Sequence, residues 1–238
     1  MRSRGKPQTS ASGFTIVELA VVLLIIAVLA GLTFASFSRA KPRADMKTAA
    51  GELQALLHQA RETALSSGNP VYVLVYKGYT PASSGIGYFI VYQDACLPVP
   101  DFMTGGATCG VSFAAYDPNV LAAGGSSVIV DTMTLPNNLM VGPSNGMGTG
   151  ATLPAPLQGV AVAVDCSFCG STGGAVQFDA SGQATFFSLA GGTVTPLFAN
   201  GGGGSLSLTY NPDVTGITGQ MTLVIFSASG AVQVFGTG

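Results

Sequence analysis

The sequence predicts an α+β protein, in which a long N-terminal α-helix, membrane-spanning in its first half and amphipathic in its second, packs on an antiparallel β-sheet head. Three observations predict it. An almost uncharged apolar run extends from Phe14 to Phe37, and apolar residues then recur at three- and four-residue spacing from Met46 to Ala64. After Pro70 the pattern changes to short valine- and aromatic-rich runs separated by Gly, Asn, Asp and Ser.

The first element, FTIVELAVVLLIIAVLAGLTFASF, contains a single charge, Glu18. As a helix, about 20 apolar residues cross a hydrocarbon core of roughly 30 Å. A secretory signal peptide cut near Ala35 and Ser36 is the rival reading, but the run is long and a carboxylate sits near its start, where a signal peptide has no use for one. No cysteine directly follows the run, which argues against a lipoprotein anchor. A carboxylate inside hydrocarbon calls for a cation as partner. Cleavage between Gly13 and Phe14 would supply one, the new α-amino group of Phe14 on a neighbouring subunit in an array of packed helices. Such a pair sets register even where its net stabilisation is small. Arg2, Arg4 and Lys6 before the run match Arg39, Lys41 and Arg43 after it, so basic residues alone do not choose an orientation.

The second element resumes the helix. Pro42 removes a backbone donor and crowds the preceding turn, which predicts a kink or interruption near residue 41. Beyond it Met46, Ala49, Leu53, Leu56, Leu57, Ala60 and Ala64 share one face, and Lys47, Gln54, His58, Arg61 and Glu62 fall on others. His58 reads as a solvated surface residue. Ser67-Gly68-Asn69-Pro70 stops the helix.

The head follows, with strands expected at Val71–Tyr76, Tyr88–Tyr92, Val128–Val130, Val160–Val164, Val176–Phe178, Thr185–Leu189, Leu206–Tyr210, Met221–Phe226 and Val232–Phe235. Two similar stretches, Phe178 to Phe186 and Phe226 to Val234, both begin F-x-A-S-G and predict β-hairpins whose glycine takes a positive φ. The Gly- and Pro-rich segments 135–158 and 191–204 read as long surface loops.

Composition bounds function. Charged residues make up 8% and hydrophobic ones 47% of the 238 residues, a balance that excludes charge-driven disorder and allows a sizeable core. All nine Lys and Arg lie at or before Lys77, while Asp94, Asp101, Asp117, Asp131, Asp165, Asp179 and Asp213 leave the rest acidic, so nucleic-acid binding by the head is not expected. Cys96, Cys109, Cys166 and Cys169 predict two disulfides in an exported chain, most simply the two sequence-local pairs, although four cysteines allow three connectivities. A four-cysteine zinc site suits the spacing of the first pair poorly, and no βαβ pattern surrounds Cys166 and Cys169 to suggest a redox pair.

Chemistry is otherwise sparse, and no enzyme, cofactor or metal site is expected. Gly146, Gly148 and Gly150 are flanked by Pro143, Pro154 and Pro156 and lack the strand, helix and lysine of a phosphate loop. A hydrolase triad would have to use His58, and no G-x-S-x-G elbow is present. The separate Asp residues suit turns, and the loop from Asp94 to Asp101 is a candidate for calcium without EF-hand spacing.

The stretch GFTIVELAVVLLIIAVLAGL, preceded by a short basic leader, resembles the prepilin signature in the order and spacing of Gly13, Phe14 and Glu18. The resemblance implies removal of leader 1–13 by a prepilin peptidase, N-methylation of Phe14, and Glu18 as the assembly residue. QARETALSSGNPVYVLVY and the two F-x-A-S-G hairpins resemble the GspH/FimT head, so the likeness covers most of 13–92 and 175–238. The middle, about 93–174, departs from it as an insertion. The implied organisation is leader 1–13, a transmembrane and assembly helix over 14–37, an amphipathic helix over 38–67 and a pilin-like head over 68–238. The implied function is a minor pilin or pseudopilin of a type IV pilus or a type II secretion system. Its N-terminus would start in the cytoplasm, its helix would sit in the inner membrane beside other pilins, and its head would be periplasmic or extracellular. The alternative is a membrane-anchored exported β-domain that binds a ligand or partner through acidic loops, outside any filament.

Overall fold

The computed structural model describes residues 15–79, 86–93, 128–142, 166–191, 193–197, 202–211 and 219–237. They form one helix, α1 (Ile16–Ser67), and ten strands: β1 (Val71–Tyr76), β2 (Tyr88–Gln93), β3 (Val128–Thr134), β4 (Leu139–Val141), β5 (Gly173–Phe178), β6 (Ala184–Ala190), β7 (Thr193–Leu197), β8 (Gly203–Tyr210), β9 (Gln220–Phe226) and β10 (Val232–Thr237). The protein is therefore a mixed α+β chain with extensive antiparallel sheet. It divides into two compact units, Met1–Lys41 and Pro42–Gly238.

Helical structure continues through Pro42, so the interruption expected there is absent. An interior proline, through its missing hydrogen bond and the clash of its ring with the preceding turn, costs roughly 3 kcal/mol, a local loss that the bonded turns on either side outlast. The helix ends where Ser67-Gly68-Asn69-Pro70 predicts, with Gly68 at φ 69° donating its N–H to the Ala64 carbonyl.

In the second unit the strands form a six-stranded sheet, ordered β3-β2-β1-β5-β6-β7, and a four-stranded sheet, ordered β10-β9-β8-β4. Among the described residues these strands pair antiparallel, and Ile86 adds an isolated parallel bridge to Met140 of β4. The apolar face of the helix read from sequence, Met46 through Ala64, is buried in one cluster with Val71, Val73, Val75, Phe89 and Val91 of the six-stranded sheet and Leu206, Leu208, Leu223 and Ile225 of the four-stranded one. Fully burying each such leucine contributes about 1.5–3 kcal/mol. Because strand side chains alternate, Tyr72, Leu74, Tyr76, Tyr88, Ile90 and Tyr92 form a second cluster on the other face. Burial on both faces explains why β1 reads Val-Tyr-Val-Leu-Val-Tyr without polar alternation.

Both F-x-A-S-G hairpins form, as β5–β6 and β9–β10, with Gly182 at φ 79° and Gly230 at φ 61°. Two segments read as surface loops are instead partly sheet. Within 135–158, Leu139–Val141 pairs with Tyr210–Leu208 as β4, and Leu135 and Leu139 are buried. Three residues are too few to show a period, which hides the strand in sequence. Within 191–204, Thr193–Leu197 pairs with β6, and Pro196 is tolerated because β7 is an edge strand. Gly204, the second residue of β8, is a glycine because the Phe186 ring lies on its backbone, where a Cβ would collide with it. The expected strand at Val160–Val164 lies outside the described residues.

Candidate assembly and anchoring site

Thr15 precedes the first helical residue and acts as the N-cap of α1. Its hydroxyl accepts a hydrogen bond from the Glu18 N–H at 3.2 Å, and Glu18 Oε2 accepts from the Thr15 N–H and from the Thr15 hydroxyl, each at 3.0 Å. This reciprocal arrangement satisfies donors that an isolated helix end leaves open, and it places a negative charge at the positive end of the helix dipole. Thr15 is absent from the residues read as functional from sequence, although Thr-x-x-Glu ahead of an apolar run is the capping signature. Gly13 and Phe14 lie outside the described residues.

Immediately beyond, Ile16–Thr33 forms a helix with mean hydropathy 2.8 over 18 residues, none of them buried. It is the one described helix long and apolar enough to cross a membrane. Within it the Thr33 hydroxyl donates back to the carbonyls of Leu29 and Ala30, both at 2.9 Å, which hides a polar group from an apolar surrounding.

In the second unit, Asp45 on α1 accepts a 3.0 Å bond from Nδ2 of Asn138, in the turn before β4, while Arg43 and Lys47 are exposed. Burial raises the Tyr210 phenol above its ordinary pKa, Arg43 opposes the shift and Asp45 reinforces it. At the other end of the helical segment, Arg61 Nε donates to the Ser229 carbonyl at 2.9 Å and lies beside Gly182 and Gly230, so both hairpin turns gather at one guanidinium.

Cys166 and Cys169 form a disulfide with an S–S distance of 2.00 Å, one of the two sequence-local pairs expected. Cys96 and Cys109 lie outside the described residues, as do the acidic loop Asp94 to Asp101 and Gly146, Gly148 and Gly150. Asp179 caps the β5–β6 turn: its Oδ1 accepts from the Ser181 N–H at 2.8 Å, the Ser181 hydroxyl at 2.6 Å and the Gln183 N–H at 3.0 Å. Partial burial works against its ionisation, but the bonds from Ser181 and Gln183 outweigh that and hold the carboxyl below the usual range. Asp131 is likewise engaged locally, with Oδ1 accepting the Thr132 N–H at 2.7 Å. His58 is exposed on α1. Among the described residues, no three His, Cys, Asp or Glu side chains gather as a metal site.

No family model matches the chain, and neither a curated protein nor a solved structure is significantly similar to it.

Proposed function

We propose that the chain is a minor pilin or pseudopilin of the GspH/FimT kind, a structural subunit and not an enzyme. A prepilin peptidase removes residues 1–13, Phe14 is N-methylated, and the apolar helix holds the subunit in the inner membrane until it packs against other pilins. Glu18 then meets the Phe14 amine of a neighbour, and the head lies in the periplasm or on the filament.

The observation that carries this reading is the wholly exposed 18-residue apolar helix beginning two residues after the Gly13–Phe14 junction, with its one carboxylate in the first turn. A helix of this composition exposed along its length needs lipid or other apolar helices around it. Its attachment to a sheet-rich unit with a core of its own is consistent with this reading.

Mass spectrometry of the N-terminal peptide, from protein made in cells with their own export machinery, tests the proposal. The expected peptide begins with N-methylated Phe14. A retained Met1, or a cut near Ala35, would remove the filament reading and leave an anchored or secreted β-domain. The acidity of the chain beyond Lys77 favours, as second reading, an anchored module that binds a ligand through its head. Ligand-dependent function that persists in Glu18→Ala while filament incorporation is lost would select that alternative.

A further inference from the structure

We infer that the outer edge of β10 is an interaction surface for a second copy of this chain, joined by antiparallel strand addition centred on Phe235. The surface lies wholly within the unit Pro42–Gly238.

The two sheets end in four edges, β3, β7, β10 and β4. An edge offers its outward N–H and C=O groups to any other strand, and folds blunt such edges with charge, proline, bulges or short length. Three of these edges are blunted. β3 carries the exposed Asp131 and bulges at Val130, which falls between the pairs Val91–Asp131 and Tyr92–Ile129. β7 contains Pro196. β4 has only three residues, and along its outer side Ile86 donates to the Leu139 carbonyl and accepts from the Val141 N–H. β10, by contrast, runs Val-Gln-Val-Phe-Gly-Thr over six residues, with no charge, proline or break in register.

The direction of its backbone groups follows from the turn before it. Phe226 N–H donates to the Ala231 carbonyl at 2.9 Å, so Ala231 faces β9 and, by alternation, Val232, Val234 and Gly236 turn their N–H and C=O groups away from it. The Val232 carbonyl agrees, because it accepts Nε2 of Gln54 on α1 at 3.3 Å, and that contact closes the edge at this end. Further along, Gly236 is exposed, and a Cβ there would touch only the end of the Met221 side chain on β9. The open stretch is therefore Val234 to Gly236.

That stretch is its own complement. Turned about a two-fold axis through Phe235, Val234 of each copy exchanges both backbone bonds with Gly236 of the other, and the two Phe235 residues meet as a non-hydrogen-bonded pair with Cα atoms about 4.5 Å apart. Aromatic pairs are favourable at such positions, and no charge is set against its own copy, as Asp131 would be on β3. A two-fold contact of this kind also closes on itself, so it yields a dimer and not a growing fibre.

The experiment uses the full chain in detergent over a concentration series, with mass followed by sedimentation and amide exchange read residue by residue over 232–237. Where about nine-tenths of the chain is dimeric, the Val234 and Gly236 amides should exchange about tenfold more slowly than on dilution, in proportion to the unpaired fraction, while those of Gln233 and Phe235, which face β9, stay slow throughout. V234P removes an outward N–H that β9 does not use, so it should abolish the dimer and leave the Gln233 and Phe235 amides protected. F235K, which sets like charges face to face on the axis, should abolish the dimer without a proline. Slow exchange at Gly236 that persists at full dilution would overturn the inference, since the chain would then cover its own edge. Dimerisation undiminished in both variants would overturn it too and assign association to the apolar helix, and a chain that stays monomeric with fast exchange at both amides would leave no self-pairing to explain.

Discussion

Glu18 Oε2 accepts bonds from the backbone and the hydroxyl of Thr15, so truncating this side chain removes a helix cap together with a charge. Glutamine at the same position keeps the cap, since Gln serves in capping boxes as Glu does, but carries no charge. Under the filament reading Glu18→Gln loses incorporation as Glu18→Ala does, while both variants remain in the membrane fraction; sheared filaments and membranes probed side by side check this. Incorporation of Glu18→Gln at the native level would assign the residue to capping alone. At Asp179 the charge acts on stability. Its folded pKa lies below the ordinary value of about 3.9, so its contribution is full above the unfolded pKa and is lost as pH falls through the folded one. Asp179→Ala should cost about 1 kcal/mol in urea melts near neutral pH, and the difference should vanish in strong acid.

The helix and the two hairpins announce themselves locally. Apolar spacing identifies the face of α1 that is buried, and F-x-A-S-G places glycine where φ is positive, at Gly182 and Gly230. The hairpins also depend on each other, which no local pattern shows. A Cβ on Gly230 would press on the Gly182 carbonyl and on the Arg61 side chain as well as strain a φ of 61°. Gly230→Ala is therefore expected to cost 2 kcal/mol or more, roughly the sum of a strained backbone and a steric shift, against a smaller loss of about 1 kcal/mol for Arg61→Ala; chemical denaturation ranks the two. β4 and β7 escape a sequence reading for different reasons. The first has three residues and no measurable period, and the second contains Pro196 between glycine-rich stretches. Both exist because a partner strand supplies hydrogen bonds that their own residues do not predict.

At the scale of the molecule, the segment around the disulfide joins the two sheets. Ser167 N–H donates to the Ser205 carbonyl at 2.9 Å in the four-stranded sheet, and Thr172 N–H donates to the Leu189 carbonyl at 3.2 Å in the six-stranded one. Between them Phe168 is buried with its ring 5.3 Å from that of Phe186. The double substitution Cys166→Ser and Cys169→Ser leaves Cys96 and Cys109 untouched, and it should lower stability by about 2 kcal/mol, the chain-entropy value for so short a loop. Denaturant titration of the full chain in detergent checks it, with faster amide exchange expected over 203–210. Taken alone, the sequence determined the apolar helix and its lone carboxylate, the buried face of the amphipathic half and both hairpins, because each follows from residues within a turn or two of one another. Only the tertiary structure decided that β1 lies between β2 and β5, that β8 lies between β4 and β9, that Gly204 must be glycine, and that Thr15 satisfies Glu18. The first three depend on which distant edges and rings meet in space, and the last on side-chain geometry that spacing permits but does not impose.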